Sequence, residues 1–248
     1  MISLLKNLID IIYPPRCPIC GEFLNKGPLK NGDKSLSFCP TCVTGFRKIS
    51  SPLCSICGRP FAEGTDEDHL CEDCLRKRPL YKAARAPYVY DGPLMTAIHQ
   101  FKYGGKSYLA DSLGPFLSEF AQSWLNKPDD LLTVPVALHK KRLRERGFNQ
   151  SLLLARHVAG RLHTELDFLS LRRVRYTLPQ TGLGREERRK NVRDAFTLEN
   201  PGGFKDRPIL LIDDVATTGN TLNECARVLK KAGCKDVFCL VLARTASF

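Results

Sequence analysis

The sequence has 248 residues, a formal net charge of +12, a hydrophobic fraction of 43% and a charged fraction of 26%. This length accommodates one large domain, or a medium domain with a small satellite, and the ordinary globular composition excludes wholesale disorder. No apolar run approaches the roughly 20 residues that a helix needs to cross a bilayer, so we expect no membrane insertion.

The first residues of the chain predict a short amphipathic helix. Apolar residues recur at helical spacing over 2–12, but Lys6 and Asp10 interrupt them. A secretory signal has an uninterrupted apolar core followed by a small-residue cleavage site, and the sequence shows neither. We therefore expect a cytoplasmic protein.

Eight of the eleven cysteines form four C-x-x-C pairs in the first third of the chain. The pairs are Cys17 and Cys20, Cys39 and Cys42, Cys54 and Cys57, and Cys71 and Cys74. Each such knuckle presents two thiolates to one ion, so two knuckles complete a tetrahedral zinc site. Pairing in chain order predicts two successive zinc ribbons, although the spacing also permits an interleaved arrangement.

Disulfides are the alternative explanation for these eight cysteines. The expected reducing compartment argues against them, and His69 is close enough to Cys71 to act as a substitute ligand. A segment this short and this poor in large apolar residues folds when metal binding supplies the free energy that its core lacks. We therefore predict two structural zinc sites within a module that covers residues 1–80.

Residues 81–248 are predicted to form a second domain of the α/β class. It begins with the stretch 88–90, and helices are expected around 93–101 and 107–126. Strands expected near residues 131, 168, 209 and 236 alternate with helices, which is typical of a parallel sheet flanked by helices.

Most of the net charge lies in one part of this second domain. The stretch 139–193 carries 15 basic and 5 acidic side chains, and it follows the strand expected at 131–138. A solvated helical face would explain such a stretch, and so would an anionic ligand. We favour an anionic ligand, because the loop after this strand and the loop after the strand expected near residue 209 would converge on one anion.

The clearest chemical signal follows the strand near residue 209, where Asp213 and Asp214 come after four apolar residues. A loop of small residues then opens a helix, and we call residues 215–221 the phosphate loop. Its members are Val215, Ala216, Thr217, Thr218, Gly219, Asn220 and Thr221. Backbone N–H groups, hydroxyls and the positive end of the helix dipole hold a phosphate, whereas the carboxylates suit ribose hydroxyls, directly or through Mg²⁺. Helix capping is the alternative role for the two acids.

This run resembles the signature of type I phosphoribosyltransferases, which bind phosphoribosyl pyrophosphate (PRPP). The signature has four apolar residues, two acids, two variable residues and then T-T-G-x-T. The resemblance implies that Asp213 and Asp214 are the catalytic pair and address the ribose 2′ and 3′ hydroxyls. It also implies that the phosphate loop binds the 5′-phosphate of PRPP.

The same resemblance assigns two further segments and a hood. The turn after the strand at 131–138 is similar to the pyrophosphate loop, with Ala137, Leu138, Lys140, Lys141, Arg142 and Arg146 as its residues. The segment 172–196 is similar to the mobile loop that closes over PRPP, with Thr177, Gln180, Arg188, Arg189 and Asn191. Closure of such a loop excludes water from the reacting centre. The helices around 93–126 correspond to the hood, where Lys102 and Tyr103 are candidates to line the site.

Over nearly its whole length the chain resembles the ComF family, which is GntX-like. The cysteine pairs, V-P-V followed by K-R-L-R-E-R-G-F-N-Q, and L-I-D-D-V-A-T-T-G-N-T carry the resemblance. It implies a double zinc ribbon joined to a type I phosphoribosyltransferase fold, with zinc and magnesium as cofactors. It also implies a role in DNA uptake and natural transformation, with PRPP and single-stranded DNA as ligands.

Two functions follow from these features. The first is a phosphoribosyltransferase whose acceptor the family does not identify. The alternative is a non-catalytic protein that keeps the fold, binds single-stranded DNA and docks a helicase-like partner. The basic stretch motivates the alternative, because cations that follow a phosphate backbone release counterions and strengthen binding.

Overall fold

The computed structural model describes residues 14–24, 38–61, 67–176 and 192–246. Two short helices lie in the cysteine-rich part, α1 (Pro40–Thr44) and α2 (Glu72–Arg76). Each begins directly after the first cysteine of a C-x-x-C pair, which stands at its N-cap position. The amphipathic helix predicted for the first residues lies outside the described residues.

A parallel sheet forms the centre of the second part of the chain. Its strands are β1 (Ala83–Arg85), β2 (Tyr88–Val89), β3 (Leu132–Pro135), β4 (Glu165–Leu166), β7 (Ile209–Ala216) and β8 (Val237–Arg244). The order across the sheet is β1-β8-β7-β3-β4, and β2 also pairs with β8. Two further strands, β5 (Leu171–Arg173) and β6 (Phe196–Leu198), form a separate antiparallel pair. The predicted parallel sheet is therefore confirmed.

The sequence predicts a strand of the parallel sheet near residue 168, but the chain does not form one there. β4 ends at Leu166, and the stretch 169–171 leads into β5, which lies outside the main sheet. Asp167 causes the change of direction, because its carboxylate accepts hydrogen bonds from the backbone N–H groups of Leu169 and Ser170 at 2.9 and 2.8 Å. Such a side-chain-to-backbone bond closes a local turn.

β7 is longer than its apolar run predicts. It continues through Asp213 and Asp214 to Ala216, so the two acids lie within the strand and do not follow it. The neighbouring strand β8 is equally long and pairs with β7 up to the Ala216–Arg244 register. The backbone of both acids is therefore held by the sheet.

Helices cover both faces of the sheet. They are α3 (Gly92–Tyr103), α4 (Ala110–Trp124), α5 (Lys140–Arg146), α6 (Gln150–Leu162) and α7 (Asn220–Lys231). Alternate residues of β7 point to opposite faces. Leu210 belongs to the core under α3, α4 and α6, whereas Leu211 belongs to the core under α7. Among these helices, none combines the length and the apolar character needed to cross a membrane.

The two halves of the cysteine-rich part pack on different faces. Phe46, which follows α1, meets the rings of Tyr88 and Phe116 edge-on, with centroids 5.7 and 5.8 Å apart. The cysteines from 54 to 74 instead share the core under α7. The domain boundary between residues 80 and 81 stays a prediction, while the cores themselves cross it.

Candidate functional site

The eight paired cysteines gather into two clusters of four thiols in chain order. The first cluster is Cys17, Cys20, Cys39 and Cys42, and the second is Cys54, Cys57, Cys71 and Cys74. Within each cluster the sulfur atoms lie within 4.8 Å of one another. All eleven cysteines are free thiols, so the disulfide alternative is wrong, and so is the interleaved pairing.

The spacing of the sulfur atoms fits a zinc ion. The Cys20 and Cys39 sulfurs are 3.6 Å apart, and those of Cys57 and Cys71 are 3.7 Å apart. A tetrahedron with Zn–S bonds of about 2.3 Å has edges of about 3.8 Å. His69 lies outside the second cluster, because its ring stacks on Phe61 with centroids 3.9 Å apart.

The second cluster is the more enclosed of the two. All four of its cysteines are buried, whereas Cys20 of the first cluster is exposed. The backbone N–H groups of Cys57 and Cys71 donate to the Cys54 sulfur at 3.5 and 3.4 Å. A hydrogen bond from the Cys57 thiol, together with these N–H groups, lowers the pKa of Cys54 to about 3. Such donors stabilise the thiolate form that binds metal.

The two acids on β7 have different partners. Asp213 Oδ1 accepts hydrogen bonds from the Ser151 hydroxyl at 2.8 Å and from the Asp214 N–H at 2.9 Å. Asp214 Oδ1 lies 2.8 Å from Lys102 Nζ, and both of these side chains are largely buried. The pair therefore sits between the helix α6 and the last turn of α3.

Burial and neighbouring charges shift the pKa of Asp213 and that of Lys102. Burial, followed by the charge of Asp214, raises the pKa of Asp213 to about 6, although the Ser151 hydrogen bond and Lys102 act in the opposite direction. Burial alone would lower the pKa of Lys102, but the Asp214 carboxylate outweighs it, so the pKa of Lys102 is raised. The Asp214 carboxylate thus favours the charged form of Lys102.

The phosphate loop begins with the last two residues of β7, which directly follow the acids. β7 ends at Ala216, a turn covers 217–219, and α7 begins at Asn220. Gly219 has a φ of +75° and occupies the N-cap position, so the helix-capping alternative for the two acids is wrong. A glycine at this position has no side chain to cap the helix, and a helix start of this kind is typical of sites that bind anions.

The end of β8 supports the phosphate loop from one side. The Thr245 N–H donates to the Ala216 carbonyl at 3.1 Å, and its hydroxyl contacts the Thr217 carbonyl at 3.4 Å. Thr218 Oγ1 lies 3.5 Å from the Asn220 N–H. The backbone of the loop is therefore tied to the neighbouring strand, while Thr217 and Thr218 remain partly exposed.

We call the segment 137–146 the basic turn. It lies beside the phosphate loop, because it follows β3 and β3 pairs directly with β7. Ala137 and Leu138 are partly buried in the turn, and the residues after His139 form the short helix α5, which the sequence did not predict. Lys140 and Lys141 are exposed on this helix.

Two arginines of α5 already have partners in the structure. Arg142 Nη1 lies 3.1 Å from a Glu145 oxygen, and Arg146 Nη1 lies 3.1 Å from Gln150 Oε1. The guanidinium of Arg146 also stands over the Tyr103 ring, 4.9 Å from its centroid.

Several side chains near the acids carry no sequence signal. Ser151 reaches Asp213 because the Asn149 side chain donates to the Val136 carbonyl at 3.1 Å and thereby ties the start of α6 to the end of β3. Arg173 on β5 is partly buried, and burial lowers its pKa while the charges of Cys225 and Asp213 oppose that change. These contacts join residues that are far apart in the sequence, so no local pattern reveals them.

Tyr176, which lies in the predicted mobile-loop segment 172–196, also contacts the basic turn. The Tyr176 ring lies 4.7 Å from Lys141 Nζ and 5.5 Å from the guanidinium carbon of Arg142. The residues assigned to the mobile loop, Thr177, Gln180, Arg188, Arg189 and Asn191, lie outside the described residues. Their role stays a prediction.

Family models match both parts of the chain. The double zinc ribbon domain matches residues 8–75, and the phosphoribosyl transferase domain matches residues 149–247. The first match agrees with the two four-thiol clusters, and the second contains the acids and the phosphate loop. The expected phosphoribosyltransferase fold after a double zinc ribbon is therefore confirmed.

Curated relatives align with most of the chain. The DNA utilization protein YhgH of Escherichia coli O157:H7 is 34% identical over 241 residues, which cover 95% of this chain and 99% of that protein. Competence protein F of Haemophilus influenzae is 30% identical over 221 residues, which cover 87% and 91%. Competence protein ComFC of Bacillus subtilis is 29% identical over 203 residues, which cover 79% and 78%. With two thiolate clusters, a phosphoribosyltransferase sheet and these relatives, the chain belongs to the ComF family.

Proposed function

We propose that the chain is a cytoplasmic, Mg²⁺-dependent phosphoribosyltransferase that binds PRPP and acts in DNA uptake. The single observation that carries the PRPP site is the position of Asp213 and Asp214 near the end of β7, from which a short turn leads into the glycine-capped start of α7. The part in DNA uptake rests on the names of the relatives, which are a DNA utilization protein and competence proteins.

Each part of PRPP has a matching group at this edge of the sheet. The 5′-phosphate would accept hydrogen bonds from the phosphate loop, and the ribose hydroxyls would bind Asp213 and Asp214. The diphosphate would face the basic turn and α5, where Lys140, Lys141, Arg142 and Arg146 supply positive charge. An acceptor then forms a bond to C1′ while the bond from C1′ to the diphosphate oxygen breaks, and pyrophosphate leaves with the electron pair.

The acid pair fits a magnesium ion. Carboxylate oxygens are the protein ligands that Mg²⁺ prefers, and Asp214 already holds a cation, the Lys102 ammonium, at 2.8 Å. When bound, Mg²⁺ neutralises charge on the diphosphate and so assists its departure. Ser151 keeps Asp213 oriented by donating its hydroxyl hydrogen.

Titration calorimetry with Mg²⁺ and PRPP tests this proposal. We expect saturable binding by the full-length, zinc-loaded chain and its loss in Asp214→Asn. Asp236→Asn is the matched control, because Asp236 pairs with Lys82 at 3.0 Å beside the start of β8, away from the acid pair. Pyrophosphate release over a panel of bases and nucleic acids then identifies the acceptor. No binding heat from the wild-type chain would overturn the proposal.

A second candidate function is binding of single-stranded DNA, in concert with a helicase-like partner. The observation that favours it is that aromatic rings from two other segments lie against the cations of α5. Tyr103 is 63% exposed and lies under Arg146, and Tyr176 lies under Lys141 and Arg142. Tyr176 is only partly exposed. Aromatic rings flanked by cations are typical of surfaces on which successive bases stack.

Fluorescence anisotropy with a labelled oligothymidine tests this second function. Affinity should fall steeply between about 50 and 200 mM salt and should weaken in Tyr103→Ala. Tyr108→Ala is the control, because Tyr108 is also exposed but belongs to the turn between α3 and α4. Salt-independent binding, or equal loss in both variants, would contradict the assignment of this surface.

A further inference from the structure

The second thiolate cluster is connected to the phosphate loop by a short stretch of chain. Tyr81 follows Cys74 by seven residues and is only 5% exposed. Its hydroxyl oxygen lies 3.3 Å from the point that a Cβ atom on Gly219 would occupy. Gly219 is the left-handed N-cap residue of α7, so the Tyr81 hydroxyl lies against the tightest turn of the phosphate loop.

The residue before Tyr81 makes a second contact with the same helix start. The Leu80 N–H donates to Asn223 Oδ1 at 2.7 Å. Asn223 in turn donates its own N–H to the Gly219 carbonyl at 2.9 Å, in the first turn of α7. Leu80 and Tyr81 therefore contact both ends of the turn that would face the 5′-phosphate.

The far side of this stretch is fastened to the second cluster. The Ala84 N–H donates to the Ile56 carbonyl at 2.7 Å, and Arg85 donates to the Ser55 carbonyl at 3.0 Å. Ser55 and Ile56 are the two residues between Cys54 and Cys57. The knuckle of the cluster is thus hydrogen-bonded to β1, three residues after Tyr81.

Packing strengthens this link. The four cysteines of the second cluster, Tyr81 and Leu222 of α7 belong to one hydrophobic core. The first cluster belongs to the other core, where Phe46 contacts Tyr88 and Phe116. The two clusters therefore support different hydrophobic cores of the sheet. The start of α7, which follows the phosphate loop, packs in the same core as the second cluster.

We propose that the second zinc site holds the phosphate loop in its binding conformation, with Tyr81 as the positioning residue. Metal loss there unfolds the knuckle that anchors the stretch 75–84, because structural zinc supplies the folding free energy of such segments. The loop then loses its support and its amides are no longer preorganised for an anion. The identity of that anion as PRPP rests on the proposed function, whereas the support of the loop does not.

Hydrogen exchange of the zinc-loaded, full-length chain tests the support directly. In Tyr81→Phe, amides of a peptide that covers 216–224 should exchange about tenfold faster than in the wild type, with zinc content and melting temperature unchanged. Tyr88→Phe is the matched control, because this buried tyrosine lies in the core of the first cluster. Equal exchange of this peptide in Tyr81→Phe and wild type would overturn the proposal.

Ligand-deleted clusters provide a second and independent test. Cys74→Ser should raise exchange in the same peptide, and Cys42→Ser should leave it unchanged, because the two cysteines serve different clusters. An equal effect of both variants, or of neither, would overturn the proposal. Calorimetry with Mg²⁺ and PRPP adds the functional readout, in which Tyr81→Phe should bind about tenfold more weakly because its phosphate loop is less preorganised. A wild-type chain that binds no PRPP overturns the proposed function, and the exchange result still decides this inference.

Discussion

Lys102 on α3 and Asp214 on β7 form an ion pair of 2.8 Å, in which both side chains are largely buried. The pair joins the hood to the sheet at the point where the ribose is expected to bind. More than a hundred residues separate Lys102 from Asp214 in the sequence, so the two meet only because α3 folds over the sheet.

Removal of the lysine charge leaves the Asp214 carboxylate buried without its cation. We expect Lys102→Met to lower the free energy of unfolding by about 3 kcal/mol, the range measured when one partner of a buried pair is deleted. Lys82→Met serves as control, because its pair with Asp236 is more exposed and should contribute about 0–1 kcal/mol. Urea unfolding of both variants measures the difference, and equal losses would show that the Lys102 pair is screened by water.

The raised pKa of Asp213 makes stability depend on pH. Its pKa is about 6 in the folded chain against an ordinary value of 3.8, so the folded state retains a proton that the unfolded state releases. The stabilisation is complete below pH 3.8 and is lost as pH rises through 6. Asp213→Asn should abolish this pH-dependent part of the stability. Denaturant unfolding of the wild type and the variant at pH 4.5 and pH 7, at about 25 °C, measures the difference. If the stability of the variant depended on pH as that of the wild type does, titratable groups other than Asp213 would be responsible.

The two zinc ions should leave the protein at different rates. Cys20 in the first cluster is exposed, whereas the second cluster is buried at all four ligands. A mercurial reagent should therefore release zinc in two phases of equal amplitude, seen by absorbance of a zinc-binding dye. Cys20→Ser should eliminate the fast phase alone. Release in a single phase would mean that ligand exposure does not limit metal loss.

Two glycines of the cysteine knuckles provide a matched pair for substitution. Both have positive φ, +69° at Gly58 and +78° at Gly21. A Cβ at Gly58 would lie 2.3 Å from the Ala84 carbonyl oxygen, but a Cβ at Gly21 would meet no atom within 4 Å among the residues that the structure describes. We expect Gly21→Ala to cost about 1 kcal/mol from backbone strain and Gly58→Ala to cost about 3 kcal/mol. Similar thermal unfolding of the two variants would contradict the close approach.

Contiguous patterns in the sequence predicted much of this molecule. The eight cysteines were identified as a metal-binding set because C-x-x-C spacing is a local pattern, and the two four-thiol clusters fit zinc. The α/β fold was correct because an apolar strand, a small-residue turn and an amphipathic helix follow one another at Ile209–Lys231.

Contacts between distant segments escaped prediction. Ser151 contacts Asp213 only because Asn149 ties α6 to β3, and Lys102 contacts Asp214 only because α3 folds over the sheet. The strands β1 and β2 are two or three residues long, too short for an alternating pattern. The path after β4 depended on a single turn at Asp167.

Each thiolate cluster belongs to a different hydrophobic core, so each face of the sheet is covered in part by a metal-binding segment. A truncated chain that started at β1 would present bare apolar surface on both sides, and such surface promotes aggregation. Depletion of cellular zinc would therefore cause the protein to aggregate before it affected the chemistry at the edge of the sheet.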